Sequence, residues 1–322
     1  MLEHGGRLAA AIREFGIPRE EWIDLSTGIH PVGYPVPPVP AECWQRLPEE
    51  EDGLLENAAL YYGTSHLLPC AGSQAAIMVL PSLRPPCRVG VLGPTYAEHA
   101  QAWQRAGHHV VNIEEYQPDM PFDVVVLVNP NNPTGRLFTT NTLLEWHAAL
   151  SPRGGWLVVD EAFMDVTPGH SLAPYTGMPS LIVLRSLGKF FGLAGIRVGF
   201  ILAWKNLLVQ LREVWGPWPL AHPARWVAKQ VLVDTEWQAE QRSWLLKQSQ
   251  RLAELLAVHN MAPAGGTGLF QWVRTSDAGT LFAQLAPRGV LVRRFDHPAS
   301  LRFGLPADER SWAKVNFLLQ ER

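Results

Sequence analysis

Cysteine is scarce in this chain, which contains only Cys43, Cys70 and Cys87 among its 322 residues. Their number is odd and their spacing is wide, which argues against both a disulfide framework and the paired-cysteine spacing of a zinc site. Few, unpaired cysteines are typical of proteins in a reducing compartment. We therefore expect a cytoplasmic protein without a metal site.

An excess of positive charge is also missing. The chain has 27 Lys and Arg residues against 30 Asp and Glu residues, for a formal net charge of -3. Without surplus cations the chain has little with which to neutralise a phosphate backbone. No apolar run approaches the roughly 18 residues needed to cross a bilayer, and residues 1–16 lack the apolar core of a signal peptide. We expect neither nucleic-acid binding nor membrane insertion.

Apolar residues, by contrast, make up 47% of the chain and charged residues only 18%, so a sizeable core is available. Short runs of Val, Ile and Leu alternate with segments of helical periodicity. Uniformly apolar strands between helices are typical of a mostly parallel sheet that is covered on both faces, and hence of an α/β fold. Such strands are predicted at 88–92, 123–129, 156–163, 180–186 and 195–203.

The pattern changes twice along the chain. The prolines of segment 30–40 prevent a helix and favour an extended strap. Beyond residue 223 a long amphipathic helical pattern precedes several short strand patterns. The sequence predicts an amino-terminal arm and strap (1–35) that packs with the small domain, a large domain (36–235) and a smaller α+β domain (236–322).

Chemically distinctive residues follow the predicted strands. Tyr96 comes after the first, the sequence NPNNPTG (129–135) after the second, Asp160 ends the third, and Lys189 follows the fourth. In an open α/β sheet, ligands bind beyond the carboxyl ends of the strands. An aromatic face, an amide, an acid and an amine at one edge together predict a pyridoxal phosphate site.

Each of these groups has a chemical task. A lysine amine forms a Schiff base with the aldehyde of pyridoxal phosphate, and a carboxylate stabilises the protonated ring nitrogen that lets the cofactor accept electrons. The cofactor phosphate requires backbone N–H donors at a helix start together with hydroxyl and cationic groups. Gly72, Ser73 and Gln74 open an apolar helix, and Ser186 and Arg197 flank the lysine.

The sequence SLGKFFGLAGIRVGF (186–200), with NPNNPTG and DEAF (160–163) upstream of it, closely resembles the signature of fold-type I pyridoxal phosphate enzymes of the class I/II aminotransferase superfamily. The resemblance implies a fold-type I large domain with a mostly parallel sheet and a smaller carboxyl-terminal α+β domain. It also implies a homodimer, in which each site borrows residues from the other subunit.

The resemblance also implies individual roles. Lys189, Asp160 and Tyr96 correspond to the catalytic residues: the cofactor-bound lysine, the partner of the pyridinium nitrogen and the aromatic side chain that stacks on the ring. The other residues correspond to groups that bind cofactor or substrate: Gly72, Ser73, Gln74, Ser186 and Arg197 for the cofactor phosphate, Asn132 for the ring hydroxyl, Arg302 for the substrate carboxylate, and Tyr61 or Tyr62 for a contact across the dimer interface.

Three segments resemble one branch of this superfamily, the branch that decarboxylates threonine phosphate in cobalamin biosynthesis. They are His4-Gly5-Gly6, IDLSTGIHPVGYP (23–35) and DEAFMD (160–165). This resemblance implies that L-threonine O-3-phosphate is converted to (R)-1-amino-2-propanol O-2-phosphate and CO2. It implies that His4 and Arg293 hold the substrate phosphate, and that Asn132 and the backbone at Gly28 or Ile29 contact the substrate. Many superfamily members have Tyr where this chain has Phe163, so a hydrogen bond to the ring oxygen should be missing.

Alternatives remain at this point. An aminotransferase acting on histidinol phosphate or a similar phosphorylated amine would use the same cofactor residues, and a domain that binds pyridoxal phosphate without turnover would also retain them. Arg294 directly follows Arg293, and side-chain alternation along a strand directs only one of the two inward. A nicotinamide-binding fold is disfavoured, since no G-x-G-x-x-G follows an early strand.

Overall fold

The computed structural model describes residues 4–321, which form two compact units. The larger unit comprises 34–132 and 137–240, and the smaller comprises 4–33, 133–136 and 241–321. The strands are β1 (Ile23–Asp24), β2 (Leu67–Cys70), β3 (Arg88–Leu92), β4 (His109–Ile113), β5 (Val124–Val128), β6 (Trp156–Asp160), β7 (Leu181–Ser186), β8 (Gly199–Leu202), β9 (Gly265–Thr267), β10 (Phe270–Arg274), β11 (Val290–Leu291), β12 (Arg293–Asp296) and β13 (Ala299–Gly304).

The helices follow in chain order: α1 (Leu8–Phe15), α2 (Glu42–Gln45), α3 (Leu54–Tyr62), α4 (Ser73–Val79), α5 (Glu98–Arg105), α6 (Thr140–Leu150), α7 (Lys205–Trp215), α8 (His222–Val233), α9 (Thr235–Val258), α10 (Ala278–Leu285) and α11 (Glu309–Gln320). The proline-rich strap 30–40 contains no helix or strand, as its composition predicts. Among residues 4–321, no helix is long and apolar enough to cross a membrane.

The larger unit is built on a seven-stranded sheet with the order β2-β8-β7-β6-β5-β3-β4. Strands β3 to β7 pair in parallel, whereas β8 runs antiparallel to both of its neighbours. Every residue of β5 and β6 is buried, which explains why these strands lack polar alternation. The predicted α/β class with a mostly parallel sheet is confirmed.

The direction of β8 brings three chain segments to one edge of the sheet. Gly199, at the start of β8, lies opposite Cys70 at the end of β2 and opposite Ser186 at the end of β7. The carboxyl ends of β2 and β7 therefore meet the amino end of β8. A side chain at Gly199 would lie 2.5 Å from the backbone nitrogen of Ser73, so only glycine permits this approach.

The smaller unit combines the amino-terminal and carboxyl-terminal parts of the chain. Its main sheet has the antiparallel order β12-β13-β10-β9, and a second, two-stranded sheet pairs β1 with β11 in parallel. In the register of β12 and β13, Arg293 lies directly opposite Arg302. Because cross-strand partners share a face of the sheet, these two arginines are neighbours.

Candidate active site

The carboxyl edge of the central sheet places the predicted acid between two other predicted segments. The backbone N–H of Asn129 donates to the carbonyl of Asp160 at 2.8 Å, and the N–H of Glu161 donates to the carbonyl of Leu184 at 2.9 Å. The ends of β5, β6 and β7 are thus hydrogen-bonded to one another. The NPNNPTG loop, Asp160 and the lysine loop therefore leave the sheet from three adjacent strands.

Asp160 is a buried carboxylate with fixed hydrogen bonds. Its Oδ2 lies 3.0 Å from Nε2 of His99, and its Oδ1 accepts from the N–H of Ala162 at 3.0 Å. His99 is also buried, on α5. An ionised carboxylate only accepts hydrogen bonds, so Nε2 of His99 carries the proton of this contact. The pair holds a negative charge in one orientation inside the protein, as the partner of a pyridinium nitrogen must be held.

Gly72, Ser73 and Arg197 form a compact cradle. Gly72 has φ +73°, and a Cβ at this position would lie 2.8 Å from Nη2 of Arg197, so the guanidinium packs directly against the glycine backbone. Gly72 is the residue before α4, whose first N–H groups have no partner within the helix. Backbone donors and a guanidinium together suit a phosphate.

Ser186 is the last residue of β7, and Lys189 lies on the loop that follows it. The Oγ of Ser186 accepts from the N–H of Gly188 at 3.2 Å, which closes a tight turn before the lysine. Lys189 is half-buried, and its Nζ lies 5.4 Å from the centre of the Phe163 ring. The residue that replaces the usual tyrosine thus places an aromatic face beneath the amine, an attractive arrangement for an ammonium group.

Tyr96 and Gln74 are linked through their side chains. The Tyr96 hydroxyl donates to Oε1 of Gln74 at 3.2 Å, and Nε2 of Gln74 donates to Oε2 of Glu98 at 3.2 Å. Burial, together with the nearby carboxylates of Glu98 and Asp160, raises the pKa of Tyr96 to about 12. Tyr96 is therefore a neutral phenol with an oriented ring. Because the Gln74 side chain binds Tyr96 and Glu98, its contact with a phosphate would come from its backbone N–H.

Asn132 is half-buried in the loop after β5, and the residues around it are firmly held. Asn129 accepts from the N–H of Phe138 at 2.8 Å, and its own amide donates to the Phe138 carbonyl at 3.3 Å. Asn131 donates to the carbonyl of Pro94 at 2.8 Å and accepts from the hydroxyl of Thr95 at 2.8 Å. The loops that carry Asn132 and Tyr96 are thus bonded to each other.

Tyr61 and Tyr62 differ in their surroundings. Tyr62 is buried, and the Arg185 guanidinium lies 4.8 Å from the centre of its ring. Tyr61 is half-buried, and its hydroxyl donates to Oδ1 of Asp165 at 2.9 Å. Of the two, Tyr61 has the more accessible side chain.

In the smaller unit, Arg302 is a buried cation. Its Nη2 donates to the carbonyl of Ser26 at 2.5 Å, and its guanidinium lies 5.1 Å from the centre of the Phe270 ring. Burial, with the neighbouring charge of Arg293, lowers the pKa of Arg302 to about 9. Two like charges directly opposite each other are unfavourable in a sheet. The arrangement therefore favours a bound anion.

The register of β12 separates Arg293 from Arg294. Arg293 shares its face with Arg302, whereas Nε of Arg294 lies 3.3 Å from Asp296, and its guanidinium lies 5.7 Å from the centre of the Phe282 ring of α10. Adjacent strand residues project to opposite faces. The sequence alone left this choice open, and the strand pairing places Arg293 beside Arg302.

The His4-Gly5-Gly6 motif packs against Ser26. A Cβ at Gly5 would lie 2.2 Å from the Ser26 carbonyl oxygen, and the N–H of Gly6 donates to the Ser26 hydroxyl at 2.8 Å. Since the same carbonyl accepts from Arg302, Ser26 connects the half-buried His4 segment to the buried arginine. Gly28, two residues further on, has φ +60° and contributes to the wall of a cavity of about 500 Å³ within the smaller unit.

These residues fit pyridoxal phosphate by their chemistry. The cradle at Gly72 combines backbone donors with a guanidinium, and Asp160 keeps a buried negative charge in a fixed orientation. Lys189 supplies an amine from the loop that follows β7, the strand next to that of Asp160. Among residues 4–321, no group of three His, Cys, Asp or Glu side chains is placed to hold a metal ion.

Comparison with known proteins agrees with this geometry. The sequence pattern of the aminotransferase class I and II family matches residues 51–315. The chain belongs to this family. It is 54% identical, over 99% of its own length and 97% of the relative's, to a threonine-phosphate decarboxylase of Pseudomonas aeruginosa. A threonine-phosphate decarboxylase of a Sinorhizobium species is 39% identical over 95% and 94% of the two chains.

Solved structures show the same fold. A histidinol-phosphate aminotransferase from Sinorhizobium meliloti, in complex with pyridoxal-5'-phosphate, superimposes with a TM-score of 0.82. The alignment covers 99% of this chain and 96% of that one, at 20% identity. At such low identity the likeness establishes the fold alone, and it confirms the predicted fold-type I architecture.

The sequence analysis missed several residues of the site. His99 lies on α5, three residues after Tyr96, which precedes the helix. A buried acid requires a partner, so a histidine close in sequence to Tyr96 was an available signal. Ser26 gave no local signal, and neither did Glu161 and Asp165, whose carboxylates bind Arg185. The contacts of these residues join segments that are far apart in the chain.

Proposed function

We propose that this protein is a pyridoxal phosphate-dependent decarboxylase that converts L-threonine O-3-phosphate to (R)-1-amino-2-propanol O-2-phosphate and CO2 in cobalamin biosynthesis. The observation that carries the proposal is the 54% identity, over essentially the whole chain, to a threonine-phosphate decarboxylase. The neighbouring cations Arg293 and Arg302 support a substrate with two anionic groups.

Bound pyridoxal phosphate supplies a protonated ring that accepts the electron pair left at Cα when CO2 departs. Asp160, oriented by His99 and the Ala162 N–H, holds the proton at the ring nitrogen. Lys189 would supply the amine that holds the cofactor aldehyde and would carry a proton to the substrate Cα. Tyr96 would hold the face of the ring, and Asn132 would hold its hydroxyl group.

Ser73, Ser186 and Arg197 bind the cofactor phosphate, together with the backbone N–H groups that follow Gly72. Arg302 binds the substrate carboxylate, and Arg293 and His4 bind the substrate phosphate, with a backbone contact at Gly28. Anchoring both anionic groups fixes rotation about the bonds at Cα. This anchoring would present the carboxylate, rather than the hydrogen at Cα, as the group that leaves.

We further propose a cytoplasmic homodimer in which Tyr61 reaches the cofactor phosphate of the other subunit. Three large apolar side chains of the larger unit support an interface between copies: Trp44 is 69% exposed, Leu47 63% and Leu60 82%. For Tyr61 to donate to a phosphate, its hydroxyl must leave Asp165, because a phenol has a single proton to donate.

The alternative is an aminotransferase acting on histidinol phosphate or a similar phosphorylated amine. Its requirement for a 2-oxo acid co-substrate distinguishes it from a decarboxylase. The purified protein, loaded with pyridoxal phosphate, is incubated with L-threonine O-3-phosphate alone, and with histidinol phosphate plus 2-oxoglutarate. The proposal predicts CO2 release in the first mixture and no glutamate in the second. Glutamate formation without CO2 would favour the aminotransferase and would leave the cofactor assignments intact.

Asp160→Asn should lower kcat by at least about hundredfold, because a neutral amide cannot hold a proton at the ring nitrogen as a carboxylate does. The side chain retains its shape, so the melting temperature should stay close to that of the native protein while kcat falls. Steady-state kinetics and thermal unfolding measure both effects. Asp123→Asn, at an exposed carboxylate that accepts from the N–H of Arg88, is the control and should retain native kinetics.

Gly5→Ala should raise KM for the phosphorylated substrate and lower the free energy of unfolding by about 1–3 kcal/mol, because the new Cβ collides with the Ser26 carbonyl. That carbonyl also binds Arg302, so the displacement reaches the substrate cation. Gly279→Ala is the matched control in the same unit, since a Cβ there meets no atom within 4 Å. Equal KM values for Gly5→Ala and the native protein would contradict the role of this contact.

A further inference from the structure

Arg185 is a fully buried arginine that the proposed chemistry does not use. Its Nη1 donates to Oε2 of Glu161 at 2.6 Å, and its Nη2 donates to Oδ1 of Asp165. The side chains of both carboxylates are 0% exposed, and that of Arg185 is 2% exposed. One guanidinium therefore joins two carboxylates in the interior of the larger unit.

The two carboxylates have further donors. Glu161 accepts from the hydroxyl of Ser171 at 2.5 Å and from the N–H of Leu172 at 2.7 Å. Asp165 accepts from the hydroxyl of Tyr61 at 2.9 Å. Hydrogen bonds of this number and kind restrict each carboxylate to one orientation, and charged hydrogen bonds in the interior are strong. The Nε of Arg185 has no hydrogen-bond partner among residues 4–321, so the arginine is held through its two Nη groups.

Two members of this network are adjacent in the chain to residues of the proposed cofactor site. Glu161 directly follows Asp160, and Arg185 directly precedes Ser186 in the chain. The N–H of Glu161 also donates to the carbonyl of Leu184, so the ends of β6 and β7 are bonded through the backbone as well as through these side chains. Through Asp165, the same arginine reaches Tyr61.

Stability alone does not account for such an arrangement. Desolvating a guanidinium and two carboxylates is costly, and apolar side chains of similar volume often serve a core equally well or better. Burial raises the pKa of the Glu161 carboxyl, which reflects this cost. A network that is costly to bury but rigid is suited to fixing positions.

We propose that Arg185, through Glu161 and Asp165, is a positioning residue that fixes Asp160 and Ser186 relative to one another for binding pyridoxal phosphate. Arg185 touches neither cofactor nor substrate in this role. The inference rests on the proposed function, since it requires that Asp160 and Ser186 hold the cofactor.

The test uses Glu161→Gln in the cofactor-loaded protein, because this change removes one charge from the network while retaining the shape of the side chain. Two readouts do not depend on turnover: the pH midpoint of the cofactor's absorbance change and the rate at which bound cofactor is released. We expect the midpoint to shift by about half a pH unit or more and release to accelerate roughly tenfold, as for other groups that orient ligand-binding residues. A purely structural pair would move neither readout.

The matched control is Asp52→Asn, which breaks another buried ion pair of the same unit, between Asp52 and Arg225 at 2.6 Å. It should lower the melting temperature as Glu161→Gln does, but it should leave the absorbance midpoint and the release rate unchanged. Equal shifts in both variants would overturn the proposal, because general loosening of the unit would then explain them. So would a Glu161→Gln protein that melts earlier but retains both native values.

Should Glu161→Gln fail to fold, Ser171→Ala takes its place, because it removes one donor to Glu161 and no charge. It should shift both readouts in the same direction by a smaller amount, and native values would overturn the proposal. A native chain that takes up no pyridoxal phosphate would overturn the proposed function and this inference together. If the native chain does take up pyridoxal phosphate, the results from the variants bear on this inference and not on the proposed function.

Discussion

Lys189→Ala should abolish CO2 release from L-threonine O-3-phosphate, with a loss of roughly four orders of magnitude or more. The amine is assigned two tasks, binding the cofactor aldehyde and carrying a proton to Cα, and alanine performs neither. Lys189 is half-buried over the Phe163 ring. Removing it leaves the core intact, so the circular dichroism spectrum should be native.

Two further variants make this prediction specific. Lys189→Arg retains a positive charge over Phe163, but a guanidinium does not form a Schiff base readily, so activity should remain absent. Lys205→Ala, at an exposed lysine that begins α7, is the control and should be fully active. Activity of Lys189→Arg near the native value would show that charge, and not the amine's chemistry, is what the site requires.

Arg302→Met should cause the second large loss, a fall in kcat/KM equivalent to about 2–5 kcal/mol, because it removes the buried cation that we propose binds the substrate carboxylate. Methionine retains much of the apolar contact with Phe270. The buried charge beside Arg293 is unfavourable without a ligand, as the lowered pKa of Arg302 indicates. The free energy of unfolding of the unliganded protein should therefore change by less than about 1 kcal/mol.

Ligand-dependent unfolding separates substrate binding from folding in this variant. L-threonine O-3-phosphate should raise the melting temperature of the native protein and should have much less effect on Arg302→Met, because only a ligand that binds the folded state stabilises it. Arg294→Met is the control, since Arg294 pairs with Asp296 on the other face of the same strand. A native-like increase in Arg302→Met would contradict the assignment of Arg302 to the substrate.

The central strands could be predicted because each is a short, uniformly apolar run. The two edge strands of the sheet, β2 and β4, were missed. β2 is four residues long and includes Pro69, whose missing N–H is tolerated at an edge. β4 is partly exposed and less uniform. The start of β8 was placed too early, since Arg197 has φ +54° and the strand begins at Gly199.

The residues of the proposed site likewise fall into two groups: those that a local sequence motif predicts, and those that only the folded sheet brings together. Lys189, Asp160 and Asn132 lie in contiguous motifs, so the sequence alone is enough to predict roles for them. Glu161 and Arg185 come together only when β6 and β7 pair, and their spacing along the chain does not predict this contact. Arg293 was separated from Arg294 by the register of β12 and β13, a property of the folded sheet.

The most direct test of the account follows the hydrogen at Cα. L-Threonine O-3-phosphate labelled with deuterium at Cα is incubated with the cofactor-loaded protein in ordinary water, and the product is analysed by mass spectrometry. Because the account holds that the bond to the carboxylate breaks and the bond to hydrogen does not, the product should be an amine that lacks the mass of CO2 and retains the deuterium. A product that retains the carboxylate but has lost the deuterium would contradict it.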